Sequence, residues 1–265
     1  MAVPQLTPSL LHLDASLPTL ILGPSLGTGA LHLWGPAVPH LKDGFQLIAW
    51  DLPGHGASQP ATQPFTMTEL AQAVMDMIQA LRVDGVIDQG AMPYYAGVSV
   101  GGAIALQLAH DHPGAFQALS VVCSAAKIGT EQAWNERADL VAAAGTPTMV
   151  VGSAQRWFAP GFIEKDPVTS TNLLHNLQDA DRFSYAHVCR ALAGFDLREE
   201  LAGLTDPLLA LNGAHDQVCP PSDAQFIAEH APRGRCAVIE SVAHLAPAED
   251  PQATARQLSA FFTAN

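Results

Sequence analysis

The stretch Tyr94-Tyr-Ala-Gly97-Val98-Ser99-Val100-Gly101-Gly102-Ala-Ile-Ala-Leu-Gln-Leu-Ala109 decides how this chain reads. An apolar run ends at Gly97, a Gly-x-Ser-x-Gly pattern follows, and a run of small and apolar residues comes directly after it. The first part reads as a buried strand, Tyr94–Gly97, and the last as a helix, Gly102–His110, packed closely on a sheet. Between them the chain must turn sharply, and glycines on both sides of Ser99 remove the Cβ atoms that would clash there. A serine on such a strand-to-helix turn is exposed at the top of the sheet. The helix starting beneath it points amide dipoles at any negative charge that develops. In a chain with 21 glycines the pattern alone means little. The strand before it and the helix after it give it weight.

Working outward, further strand-like runs lie at Thr19–Leu22, Phe45–Trp50, Leu119–Cys123, Leu208–Leu211 and Ala237–Glu240. Most are continuously apolar rather than alternating, as strands buried on both faces of a parallel sheet should be. A helical pattern at Met67–Leu81 carries apolar residues at Leu70, Ala71, Val74, Met77, Ile78 and Leu81. Strand–helix alternation of this kind implies right-handed crossovers and an α/β class with a mostly parallel central sheet flanked by helices. The strand rhythm stops between residues 127 and 200, where helical patterns take over and Trp134 and Trp157 fall. Residues 1–126 and 201–265 are therefore expected to form the core, with 127–200 as a helical lid over the ends of the strands.

A serine hydroxyl needs a base to become a nucleophile near neutral pH. Among 11 histidines, His244 follows the Ala237–Glu240 run through a short loop. The preceding strand delivers Asp216 in a loop that ends at Pro220-Pro221. The order Ser99, Asp216, His244, each on a loop after a strand, is that of the α/β-hydrolase fold. Asp206 lies before its strand and Asp223 at the start of a helix, so both are weaker acids for the role, and His215 reads as a neighbour. In this scheme Ser99 attacks an ester carbonyl, His244 shuttles the proton and Asp216 fixes the imidazole. Two amides are needed for the oxyanion: Val100, after the nucleophile, and Leu26, in the loop Gly23-Pro24-Ser25-Leu26-Gly27 after the first parallel strand.

Composition narrows the partners. The net charge of −13 disfavours nucleic acid and anionic membranes, and no apolar stretch is long enough to span a bilayer. The N-terminal Met1-Ala-Val-Pro-Gln lacks the pattern of a secretion signal, so a cytoplasmic location is expected. Cys123, Cys189, Cys219 and Cys236 show no metal or disulfide spacing and read mostly as buried thiols.

Together these residues resemble the 3-oxoadipate enol-lactonases. The likeness rests on Ser25-Leu26-Gly27-Thr28 followed by Trp34, and on Asp51-Leu-Pro-Gly54-His55-Gly56-Ala57-Ser58. Cys123-Ser-Ala-Ala-Lys127-Ile-Gly129 with Trp134-Asn-Glu-Arg137, and Asp196-Leu-Arg198, extend it along nearly the whole chain. Pro24 stands where that family has Asn, Pro53 where it has Arg and Ala125 where it favours Thr; Gln89–Ala91 is also atypical.

The resemblance implies hydrolysis of a small, carboxylate-bearing enol-lactone without metal or cofactor. Such a substrate needs a cation, and seven of the 12 Lys and Arg residues lie between 127 and 200 among ten acidic ones. Arg137, one turn after Trp134, is the first choice for the carboxylate. Trp134 and Trp157 are expected to wall the pocket, and Ser25, structural rather than a second nucleophile, is expected among the residues that bind substrate. A less specific carboxylesterase or lactonase, and a carbon–carbon bond hydrolase of ring-cleavage products, share the same three residues. A ligand receptor on this scaffold would keep the pocket without the turnover.

Overall fold

The apolar runs become the five middle strands and one edge of a seven-stranded sheet in the computed structural model, which describes residues 3–265; Met1 and Ala2 of the N-terminal segment read above lie outside them. The strands are β1 (Thr7–His12), β2 (Thr19–Gly23), β3 (Gln46–Asp51), β4 (Tyr94–Val98), β5 (Leu119–Val122), β6 (Leu208–Gly213) and β7 (Gly234–Ile239), in the order β1-β3-β2-β4-β5-β6-β7. All neighbours are parallel except β1, which runs antiparallel to β3. Every residue of β2, β3, β4, β5 and β6 is buried, which explains their unbroken apolar character.

The middle strands shift by one or two residues at their ends, as at β6, which runs on to Gly213, and the larger departures are at the edges. β1 was not among the expected runs: it is half-buried, carries Pro8 and pairs on one side only, so neither continuous burial nor a clean alternation marks it. β7 begins three residues earlier than expected because Gly234, Arg235 and Cys236 pair with β6 while remaining partly exposed. Met67–Val83 opens with a capping box, in which the Thr66 hydroxyl accepts from the Glu69 amide and the Glu69 carboxylate accepts from the Thr66 amide.

Between β5 and β6 the chain is helical, through Glu131–Ala144, Val150–Trp157, Pro167–Asp179 and Arg182–Ala193. Backbone bonds tie this segment to the rest: Asp181 N–H to Gly54 O (2.8 Å), Leu197 N–H to Ala126 O (2.9 Å) and His244 N–H to Trp157 O (3.1 Å). Because β2, β4, β5, β6 and β7 run the same way, the loops after them gather at one end of the sheet, facing this segment. Among the described residues no helix is long and apolar enough to cross a membrane.

Candidate active site

Ser99 occupies the turn between β4 and the helix Val100–Asp111 with φ 58° and ψ −116°, a left-handed conformation rare for a residue with a side chain. The surroundings enforce it. A Cβ on Gly97 would overlap the Gly101 carbonyl, and one on Gly101 would stand 2.6 Å from the Pro24 carbonyl oxygen. Only glycines therefore allow the helix to start so close to β2 and β4. The Ser99 amide donates to Val122 O (2.9 Å), the Gly101 amide to Pro24 O (3.0 Å), and the Ser124 hydroxyl to Ser99 O (2.6 Å). Pro24, one of the departures from the family pattern, thus still contributes its carbonyl to the turn. Pro53 does likewise, accepting from His55 Nδ1 at 2.9 Å.

His244 is 1% and Asp216 4% exposed, and His244 Nδ1 lies 2.8 Å from Asp216 Oδ2. The other oxygen of Asp216 accepts the amides of Val218 (2.8 Å) and Cys219 (3.0 Å). Hydrogen bonding therefore holds the carboxylate in one orientation and gives His244 Nδ1 the proton, leaving Nε2 as the basic nitrogen. The alternative acids do not bind His244: Asp206 accepts the Gly114 amide, and Asp223 lies near Asp216, where burial and that like charge push its carboxyl up. His215 is exposed. Cys123 and Cys219 are buried beside Asp216, and desolvation holds both thiols well above the ordinary thiol range, so both are protonated. Cys236, by contrast, is exposed.

Ser99 and His244 open onto a cavity of about 210 Å³ whose lining includes Ser25, Leu26, Trp134, Arg137, Arg156, Trp157, Tyr185 and Val218. Val100 is buried behind Ser99 as the first residue of its helix. The loop after β2 is folded on itself: Ser25 N–H donates to Thr28 Oγ1 (3.2 Å), and Thr28 N–H and Oγ1 donate to Ser25 O. The Asp51 carboxylate accepts the Ala30 amide (2.7 Å) and the Ala57 amide (3.0 Å), joining that loop to the turn at 53–58.

Tyr185 and Val218, which the sequence did not single out, also line the cavity, as does Arg156, one of the seven cations between 127 and 200 but not the first choice among them. Ser153, Arg156 and Trp157 share one face of the Val150–Trp157 helix at i, i+3 and i+4, a spacing that would have exposed it. Its Nε donates to Gly152 O (3.0 Å), and burial and the like charge of Arg137 lower its pKa. The Arg137 guanidinium lies 4.8 Å from the centre of the Trp134 ring. Among the described residues neither arginine pairs with a carboxylate, whereas Lys127, Arg190 and Arg198 all do. Tyr185 between them is buried, which pushes its phenol above the ordinary tyrosine range while Arg137 pulls it back.

A sheet of this order, with a serine on a strained turn and an Asp–His pair on later loops, defines an α/β hydrolase. Residues 40–251 match the family model described as serine aminopeptidase, S33. The chain is 35% identical over 240 residues to 3-oxoadipate enol-lactonase 2 of Acinetobacter baylyi, covering 91% of this chain and 86% of that one. It is 33% identical over 244 residues to 3-oxoadipate enol-lactonase 1 of the same organism, covering 92% and 88%. The enol-lactonase structure from Burkholderia xenovorans superposes with a TM-score of 0.89 at 26% identity, over 97% of this chain and 96% of that one. The chain belongs to the 3-oxoadipate enol-lactonase family of the α/β-hydrolase superfamily and is an ester-hydrolysing enzyme.

Proposed function

We propose that this enzyme opens a small enol-lactone that carries a free carboxylate, 3-oxoadipate enol-lactone, to give 3-oxoadipate. The observation that carries the proposal is the pair Arg137 and Arg156, unpaired with carboxylates among the described residues and lining the same cavity as Ser99. In a chain of net charge −13, two partly buried cations lining one cavity create a local field suited to an anionic substrate. The cavity, at about 210 Å³, suits a molecule of this size.

Ser99 Oγ attacks the lactone carbonyl while His244 Nε2 takes its proton and Asp216 balances the imidazolium. The Val100 and Leu26 amides receive the oxyanion. Collapse of the tetrahedral intermediate breaks the ring C–O bond. The enol oxygen leaves, takes the proton from His244, and the released enol tautomerises to the ketone. Water, deprotonated by His244, then attacks the acyl-serine ester, and C–O cleavage returns Ser99 and frees a second carboxylate. A substrate of this kind belongs to the breakdown of aromatic compounds, and the same proposal places the reaction in the cytoplasm, with a small-molecule ester or lactone as substrate and neither nucleic acid nor membrane as partner.

The test compares the lactone with its methyl ester, in which the carboxylate is masked. The free acid should be preferred by about 100-fold in kcat/KM, the worth of one to two charge-assisted hydrogen bonds. Equal turnover of both, or faster turnover of p-nitrophenyl acetate, would reduce the enzyme to a general esterase.

A further inference from the structure

Glu249 takes no part in the reaction above, yet it is built into the loop that carries His244. It ends the short helix Ala246–Glu249 and is 6% exposed. Its Oε1 accepts the amides of Ala243 (3.0 Å) and Leu245 (3.1 Å), the two residues that flank His244. Its Oε2 accepts the amide of Ala159 (2.6 Å), which lies two residues beyond Trp157. The His244 amide completes the arrangement by donating to Trp157 O (3.1 Å). One buried carboxylate thus joins the loop bearing the imidazole to a wall of the cavity.

The chemistry of the group matters here. An ionised carboxylate accepts at both oxygens, whereas Gln would aim an N–H₂ donor at one of these amides. Among the described residues Glu249 forms no ion pair with Lys, Arg or His. Burial pushes its carboxyl up to about 6, against the three amides and the His244 charge. Cys123, directly after β5, also senses its charge. His32, on the neighbouring Ala30–Trp34 helix, is bound to Asn176, and Asp250 is bound to Ser241 and the Ala253 amide.

We propose that the ionised Glu249 is a positioning residue for His244: it holds the imidazole loop and the Trp157 wall as one unit, and protonation loosens that unit and lowers turnover. The proposal rests on His244 being the base.

The test measures kcat and KM on both sides of pH 6 for the wild type, Glu249→Gln and His244→Ala, together with Tm. Glu249→Gln should lower kcat by about 10- to 100-fold, the scale of a small misplacement of a reacting group, with KM nearly unchanged. Its Tm should change little, because removal of a buried charge without a cation offsets the amide left unpaired. The acidic limb of kcat should steepen beyond one proton in the wild type and return to one proton in Glu249→Gln. A Glu249→Gln enzyme with wild-type kcat and limb, beside an inactive His244→Ala, would overturn the proposal alone. An active His244→Ala would instead remove the base assignment on which it rests. Should Glu249→Gln fail to fold, a one-proton limb in the wild type would overturn the proposal by itself.

Discussion

His244 Nδ1 and Asp216 Oδ2 stand 2.8 Å apart on loops from neighbouring parallel strands, with both side chains almost wholly out of solvent. The two amides on the other Asp216 oxygen mean that the carboxylate cannot swing to a second arrangement without losing buried hydrogen bonds. Asp216→Asn would keep the shape while offering His244 the wrong tautomer partner. Its kcat should fall by about 10⁴-fold, as for replacement of the acid by an amide in serine proteases. A steady-state assay with a matched thermal melt checks this.

The backbone at Ser99 stores strain. A side chain at φ 58° and ψ −116° costs on the order of 1–3 kcal/mol, and Ser99→Gly releases it at the cost of the nucleophile. That variant should be inactive and more stable, by an amount visible in a denaturant titration with unchanged m-value.

Arg137→Ala and Arg156→Ala should each raise KM for the carboxylate-bearing lactone by about 10-fold or more, as expected for loss of a charge-assisted contact. Neither should change p-nitrophenyl acetate turnover by more than about twofold, since that ester has no carboxylate to bind. Arg137→Lys should recover only part of the loss, because a point charge does not replace the planar fork.

Stability should also carry the mark of Glu249. Its carboxyl is raised from 4.5 to about 6 by burial, so the folded protein binds this proton more tightly than the unfolded chain. The associated stabilisation is fully present below pH 4.5 and is lost as pH rises through 6. It amounts to an order of 2 kcal/mol. Glu249→Gln should flatten this part of the stability–pH profile in chemical denaturation.

The sheet and the placing of Ser99, Asp216 and His244 were legible because each has a local signature. Buried parallel strands are continuously apolar, and Gly97, Gly101 and Gly102 are where β2, β4 and Ser124 come too close for side chains. β1 was hidden because an edge strand with Pro8 and half-exposed residues has no such signature. Arg156 and Glu249 were hidden for another reason. Arg156 has a local signature, its spacing with Ser153 and Trp157 on one helix face, but nothing local says that this face meets the cavity. Glu249 meets Ala159 90 residues away along the chain, and nothing in the neighbouring sequence encodes that meeting. Arg137 was within reach because Trp134 stands one turn before it on the same helix face.

The most direct measurement follows the loss of the enol-lactone's ultraviolet absorbance with the wild type and with Ser99→Ala. Rapid loss with the wild type, abolished in Ser99→Ala and slower for p-nitrophenyl acetate, is the expected result. No loss with the wild type, or undiminished loss with Ser99→Ala, would contradict a lactonase that works through this serine.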